Sequence, residues 1–197
     1  MKRIFSALIV VVLLAFTSLC FAEPTVTTKT ISRGDTVEVK YPVVNNLEDK
    51  KIQKTINLDI ENTVKELIKK ERASDPKTIT GNYKVTYNNM DTLSIKMTFT
   101  IMPDKGAYPT NIIRGLNYDV TTGEILQYGL MQNVSLDDVN KALVQHLKVN
   151  NIEIPGFSGV NFVPSDFYID EKGDLVSVIQ EQVIAPHAIG SIEFKVF

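Results

Sequence analysis

The most regular alternation of apolar and polar residues in the chain lies at residues 92–101. The apolar positions are Leu93, Ile95, Met97, Phe99 and Ile101, and the polar positions between them are Thr92, Ser94, Lys96, Thr98 and Thr100. Because successive side chains of a strand point to opposite faces, this pattern predicts a strand with one buried face and one face in water. Such one-sided burial is typical of antiparallel sheets.

Further β-rich runs are separated by turn-forming residues, and they predict a succession of hairpins. Gly34, Gly123 and Gly173 stand at three of the expected turns. The other predicted strands cover residues 26–32, 36–41, 82–87, 116–120, 124–130, 167–170, 175–183 and 191–196. Many short strands that are joined locally favour an antiparallel sheet.

Two segments have the apolar spacing of amphipathic helices instead. The longer helix is predicted over residues 46–72, with Asn45 as its start signal. The shorter helix is predicted over residues 136–149, where Ser135 and Asp138 form a pair that resembles a capping box. The predicted fold class is therefore α+β, an antiparallel sheet of hairpins with one long and one shorter helix packed on it.

The first 22 residues are typical of a secretory signal peptide. Lys2 and Arg3 precede an apolar segment, and Ala22 ends a short stretch that suits cleavage. Residues 1–22 are therefore predicted to direct export to the periplasm or the extracellular space. The alternative is an uncleaved membrane anchor over Ile4–Ala22, which is nearly long enough to span a bilayer. Residues 23–197 have the length of a single domain.

The composition excludes several classes of function. Among 197 residues, 44% are hydrophobic and 22% are charged, and the formal net charge of -2 argues against a broad nucleic-acid-binding surface. One cysteine and two histidines exclude a disulfide framework and a zinc site built from Cys and His clusters. We therefore expect no metal and no cofactor. His146 is predicted to be a half-buried core residue on its helix, and His187 to lie in a turn.

The sequence offers little that is typical of an enzyme. Ser158 lies in a glycine loop, but it lacks the spacing and the strand-to-helix context of a serine nucleophile. Asp166 and Asp170 are the best candidates for a pair of catalytic carboxylates, as a cell-wall glycan hydrolase would need. No residue is predicted to be catalytic in the interpretation that we favour, in which the chain is not an enzyme.

Four segments of the second half carry a resemblance to a known family. They are residues 105–109 (KGAYP), 115–124 (GLNYDVTTGE), 162–170 (FVPSDFYID) and 183–190 (VIAPHAIG). Together they resemble the RsiV-like and PdaC-associated extracytoplasmic domains, which are built from DUF4163 and DUF3298 modules. The resemblance implies a DUF4163-like part over residues 23–125 and a DUF3298-like part over residues 126–197, within one domain.

The resemblance also implies a function. In the anti-sigma factor of this family the exported region is a sensor that binds lysozyme, and in the deacetylase a separate domain carries the chemistry. We therefore expect a non-catalytic binding or sensor module of the cell envelope, with a lysozyme-like protein or peptidoglycan as its ligand. The alternatives are a cell-wall glycan hydrolase or a deacetylase-associated protein, and a membrane-anchored structural protein of the envelope.

The expected ligand-binding residues are Tyr108, Pro109, Pro186 and His187. Tyr108 and His187 replace the residues that are commoner at these positions of the family. Pro186 fixes one backbone dihedral of its turn, so the loop around it can be rigid and protruding. No membrane contact is expected after cleavage of the signal peptide.

Overall fold

A computed structural model describes residues 23–73, 77–104, 108–126 and 133–196. The predicted signal peptide, residues 1–22, lies outside the described part of the chain. Within that part, two α-helices and two β-sheets form a mixed, mostly antiparallel α+β fold, which confirms the predicted fold class. The expected organisation of residues 23–197 as one domain stays a prediction.

The large sheet has five strands in the order β1-β2-β3-β4-β5. These strands are β1 (Thr25–Arg33), β2 (Val37–Asn45), β3 (Lys77–Asn88), β4 (Thr92–Pro103) and β5 (Thr110–Asp119). The small sheet has the order β6-β7-β8, with β6 (Asp166–Ile169), β7 (Leu175–Ile179) and β8 (Ile192–Lys195). The helices are α1 (Lys50–Arg72) and α2 (Leu136–Val149), and a short 3-10 helix covers His187–Ile189.

One pair of strands departs from the antiparallel expectation. Residues Val37–Val39 of β2 run parallel to residues Ile79–Gly81 of β3. This pairing arises because α1 connects the two strands and returns the chain to the end of the sheet from which β2 started, as in a βαβ unit. All other pairs of neighbouring strands in the two sheets are antiparallel.

The long helix starts later than predicted. Asp49 is its N-cap, and the Asp49 carboxylate accepts hydrogen bonds from the backbone N–H groups of Lys51 and Ile52. The expected start at Asn45 is wrong because Asn46 adopts a left-handed backbone, with φ 62°, which is incompatible with a continuous helix. The short helix begins as predicted, with a capping box between Ser135 and Asp138.

Two predicted strands are shorter than expected or only partly described. The strand predicted over residues 175–183 ends at Ile179, and Gln182 adopts a left-handed φ of 65°. In the run predicted over residues 124–130, Ile125 makes an isolated bridge to Tyr118, and residues 127–130 lie outside the described part.

The main hydrophobic core lies between α1 and the apolar face of the large sheet. All five apolar residues predicted to face inward on β4 are buried, as the alternation predicts. The helix contributes Ile56, Ile60, Val64, Leu67 and Ile68 to the same core. A second core lies between α2 and the small sheet, and its largest fully buried side chains are Phe167, Phe194 and Leu143.

Candidate functional site

The face of β4 that was predicted to lie in water is covered around Ser94. The Ser94 side chain is fully buried, and its hydroxyl donates to Asn117 Oδ1 at 2.7 Å. Thr86 Oγ1 approaches the same hydroxyl at 3.1 Å as a donor. The expectation of a wet face is wrong at this point because the small sheet packs on it. Small polar side chains fit a wet face and a buried network equally well.

The small sheet docks through the backbone of its edge strand, β6. Asn117 Nδ2 donates to the carbonyl oxygen of Phe167 at 2.9 Å, and the backbone N–H of Ile169 donates to Ser94 Oγ at 2.9 Å. Gly115 makes this approach possible, since a Cβ at its position would lie 1.6 Å from the Phe167 oxygen. The side chains of Asn117 and Ser94 thus provide hydrogen-bond partners for the backbone groups at the edge of β6, as buried backbone groups require. We call these five residues the polar seam.

The backbone groups at the outer edge of β5 also form hydrogen bonds with side chains, which belong to the segment that follows β7. The side-chain amide of Gln180 pairs with the backbone of Ile113, accepting from its N–H at 3.0 Å and donating to its carbonyl at 2.6 Å. The backbone N–H of Asn111 donates to Glu181 Oε2 at 2.7 Å. These contacts hold the chain after β7 against the strand that begins just after Tyr108.

Tyr108 and His187, which are far apart in sequence, lie beside each other. Their ring centroids are 5.6 Å apart, and the rings are tilted by 37°. Tyr108 is 78% exposed, and Pro109, next to it, is half-buried. Pro186 is exposed and precedes the 3-10 helix that contains His187. The structure therefore brings the four predicted ligand-binding residues into one surface, which we call the loop patch.

A buried carboxylate lies behind the loop patch. The Glu181 side chain is only 3% exposed, and its Oε1 contacts His187 Nδ1 while its Oε2 accepts the N–H of Asn111. A carboxylate accepts hydrogen bonds, so Nδ1 of the imidazole carries the proton in this contact. The other ring nitrogen, Nε2, takes no part in this contact, and the His187 side chain is 33% exposed.

Sequence analysis missed the role of Glu181. The residue lies within the strand predicted over residues 175–183, and that prediction gives it no functional role. One signal was available, because Gln180, Glu181 and Gln182 interrupt the apolar run that ends at Ile179. Three consecutive polar residues indicate that the strand has ended, although they do not identify their partners on β5.

The two aspartates considered for a hydrolase have separate partners. Asp166 forms an ion pair with Arg114 and accepts from Gln180 Nε2 at 3.1 Å. Burial raises the pKa of the Asp166 carboxyl, although the guanidinium beside it favours the charged form.

Asp170 lies at the turn between β6 and β7. Its carboxylate pairs with Lys195 at 2.8 Å and accepts from the backbone N–H of Lys172 and of Asp174. The hydrogen bond from Lys195 contributes most to lowering the pKa of Asp170, and the two backbone hydrogen bonds lower it further. The structure thus gives Asp166 and Asp170 no common partner in the described part of the chain.

The described residues contain no group of three or more His, Cys, Asp and Glu side chains that could hold a metal ion. None of the helices described is both long and apolar enough to cross a membrane.

Comparisons with known proteins found one matching family model and solved structures with a similar fold. Residues 28–101 match the family model of deacetylase PdaC, and this segment runs from β1 into β4. A DUF3298 family protein from Pseudomonas aeruginosa PAO1 superposes with a TM-score of 0.58 at 12% identity, over 88% of each chain. No curated protein matches the chain.

A second solved structure of the DUF3298 family gives the same result. This protein, from Bacteroides fragilis NCTC 9343, superposes with a TM-score of 0.50 at 14% identity, over 87% of this chain and 88% of the other. At such low identity these structures establish a shared fold. The predicted resemblance is therefore confirmed for PdaC in the first half and for the DUF3298 fold.

Proposed function

We propose that this protein is an exported, non-catalytic binding module of the cell envelope, and that the loop patch contacts its ligand. The observation that carries the proposal is the pairing of exposed Tyr108 with His187, held from behind by buried Glu181. Export rests on the signal-peptide pattern of residues 1–22. The DUF4163 assignment and the likeness to the RsiV sensor stay predictions that agree with this role.

The contact of His187 with buried Glu181 favours a binding role for the loop patch. An exposed aromatic ring loses little conformational freedom on contact when its surroundings already hold it, so more of the contact energy contributes to affinity. Tyrosine also offers a large apolar ring together with a hydroxyl, which is why it is frequent at interfaces. His187 adds an imidazole ring, held at Nδ1 by Glu181, next to that ring.

Several contacts favour binding over catalysis. Both carboxylate oxygens of Glu181 already have partners, His187 Nδ1 and the backbone N–H of Asn111. Asp166 and Asp170 are engaged by Arg114 and by Lys195 respectively. A glycan hydrolase instead needs two carboxylates that flank one bond. The deacetylase activity in the name of the matched family model belongs to that protein, and we do not transfer it.

Charge favours a basic protein ligand. Residues 23–197 contain 19 basic and 23 acidic residues, so their formal charge is -4. Lysozymes of the c-type are basic, and opposite net charges accelerate association. We therefore place a lysozyme-like protein first among the ligands, and peptidoglycan second.

Calorimetric titration of the purified protein with a c-type lysozyme, and in parallel with a peptidoglycan digest, tests this proposal. We expect micromolar or tighter binding to lysozyme. The double variant Pro186→Ala/His187→Ala should weaken that binding about tenfold, as truncation of interface anchors does. Met90→Ala, which alters an exposed apolar side chain in the β3–β4 turn, is the matched control and should bind like the unmodified protein.

Each contrary outcome has a distinct meaning. Unchanged affinity of the double variant, with an unchanged circular dichroism spectrum, would remove the loop patch from the binding surface. Absence of heat with both ligands would contradict the binding role, and release of reducing ends from peptidoglycan would contradict the non-catalytic role. The mass of the exported chain decides between release and anchoring: a start at Glu23 supports release, and retention of Met1 supports the anchored alternative.

A further inference from the structure

A second concave site lies between α2 and the small sheet, away from the four residues of the loop patch. Its volume is about 450 Å³, which is within the range of pockets that hold small organic ligands. Aliphatic, aromatic, amide and charged side chains all contribute to it. The lining residues are Ala142, Gln145, His146, Val149, Asn150, Tyr168, Asp170, Val176, Glu193 and Lys195.

Each charged group of this cleft already has an ion-pair partner. Lys195 lies 2.8 Å from Asp170 and 2.6 Å from Asp174. Glu193 lies 2.9 Å from Lys96, which approaches from β4. A charged ligand would have to compete with these ion pairs, so the cleft offers it no unpaired counter-charge. This favours a ligand without formal charge.

Neutral hydrogen-bonding groups complete the cleft. The His146 ring is half-buried 6.4 Å from the ring of Phe194, and burial lowers the pKa of His146, so the imidazole is neutral at pH 7. In the described part of the chain, the side chains of Gln145 and His146 make no hydrogen bond. Both therefore keep their donors and acceptors for a ligand.

Apolar surface is interleaved with these polar groups. Val176 is buried at the cleft, Val149 is 65% exposed, and Tyr168 contributes its ring. Lys96 Nζ lies 5.2 Å from the centroid of the Tyr168 ring, which fixes the position of that ring from the β4 side. A pyranose ring matches such a surface, because its C–H groups form apolar patches and its hydroxyls and acetamides form neutral hydrogen bonds.

We propose that the cleft between α2 and the small sheet binds a neutral saccharide. The inference goes beyond the loop patch, and it uses none of the residues proposed there. The side-chain amide of Gln145 and the neutral imidazole of His146 would form hydrogen bonds with the hydroxyl groups of the sugar. Val149, Val176 and Tyr168 would contact its C–H surfaces.

Amide chemical shifts recorded during titration with the tetramer of N-acetylglucosamine test this site. We expect shifts along residues 145–150 and 193–195. Val149→Gln should raise the dissociation constant about tenfold, because it removes apolar contact inside the cleft. Val144→Gln is the matched control: Val144 is 52% exposed on the same helix but does not line the cleft, so binding should be unchanged.

Comparator ligands and variants make the outcome decisive. The cationic glucosamine tetramer, the anionic galacturonate tetramer and an uncharged alanine tetrapeptide should all bind more weakly than the neutral sugar. A stronger response to any of them, an equal effect of the two valine variants, or no shift with the neutral sugar would overturn the proposal. Pro186→Ala/His187→Ala should leave saccharide binding intact, so failure of the loop patch and failure of the cleft are distinguishable.

Discussion

The two faces of the large sheet make contact with the rest of the protein in different ways. On one face, α1 covers the sheet with aliphatic side chains such as Ile56 and Ile60, and the contact is a continuous apolar core. On the other face, the small sheet docks through the polar seam, in which Ser94 and Asn117 bind the backbone of β6 directly. The second face is buried around Thr86, Ser94 and Asn117, and there the burial depends on the placement of individual hydrogen bonds.

The two faces therefore contribute differently to the stability of the fold and to the position of the small sheet. Hydrophobic contact is non-directional and roughly proportional to the area removed from water, so the helix face tolerates small shifts. Hydrogen bonds weaken steeply with misalignment, so the polar seam fixes the small sheet in one position. That position determines where His187 lies relative to Tyr108. We infer that the helix face supplies most of the folding energy and that the seam assembles the loop patch.

The largest effect is expected from Gly115→Ala. The new Cβ would lie 1.6 Å from the backbone oxygen of Phe167, so one strand must move. We expect a loss of about 4 kcal/mol in the free energy of unfolding, measured by urea denaturation, which is at the upper end for single substitutions. Gly81→Ala is the control: its Cβ would meet the side chains of Val39 and Phe99, so the cost should be clearly smaller.

Ile60→Ala tests the helix face. Ile60 is fully buried, and its truncation should cost about 3 kcal/mol in the free energy of unfolding, through lost transfer energy and a cavity. The urea midpoint should fall, while the ring contact between Tyr108 and His187 persists in the folded protein. Loss of that contact in Ile60→Ala would show that the two faces are not separable in this way.

A smaller loss is expected from Asn117→Ala. The substitution deprives the Phe167 carbonyl of its side-chain donor and the Ser94 hydroxyl of its acceptor, and it should cost about 2 kcal/mol in the free energy of unfolding. Asn82→Ala is the matched control, because Asn82 is exposed on β3 and its side-chain oxygen accepts from the neighbouring backbone N–H of Tyr83. Its cost should stay within about 0.5 kcal/mol, as at surface sites generally. Equal costs for the two variants would contradict the claim that the hydrogen bonds of the polar seam contribute more to stability than exposed hydrogen bonds do.

The smallest effect is a pH dependence beside the seam. Burial raises the pKa of Asp166 in the folded protein, so the folded state binds its proton more tightly than the unfolded state does. The stabilising contribution of this group is therefore complete below its unfolded pKa of about 3.9 and is lost as pH rises through the folded pKa.

This dependence can be isolated by comparison with Asp166→Asn. As the pH rises from about 4 to about 7, the unmodified protein should lose free energy of unfolding relative to the Asp166→Asn variant. Ile60→Ala, on the helix face, should show a pH-independent difference over the same range. A difference that moves in the opposite direction would mean that the Arg114 ion pair, not burial, dominates at Asp166.

Much of the fold could be predicted from local patterns. Strict alternation along β4 identified the buried face, and Ser135 with Asp138 identified the start of α2, because both signals lie within a few residues. The start of α1 was wrong because Asn45 and Asp49 are both plausible caps, and the left-handed turn at Asn46 decides between them. The burial of Ser94 was not predictable, since it depends on a strand more than seventy residues away.

The candidate site shows the same limit. Its four residues were predicted from a resemblance, but their proximity results from the pairing of β5 with the segment after β7. Glu181 could not be recognised, because a carboxylate near a strand end usually faces water, and its two partners, Asn111 and His187, are defined only by the fold. The sequence therefore predicts the surface residues better than the buried groups that position them.

Native-state hydrogen exchange tests the central claim, that side-chain hydrogen bonds lock the small sheet and so assemble the loop patch. The decisive amides are Asn111, Ile113 and Ile169, which donate to Glu181, Gln180 and Ser94. We predict that they exchange only through global unfolding, with the same opening free energy as the central amides of β4. Exchange of these three amides orders of magnitude faster, through local opening while β4 stays protected, would contradict the account.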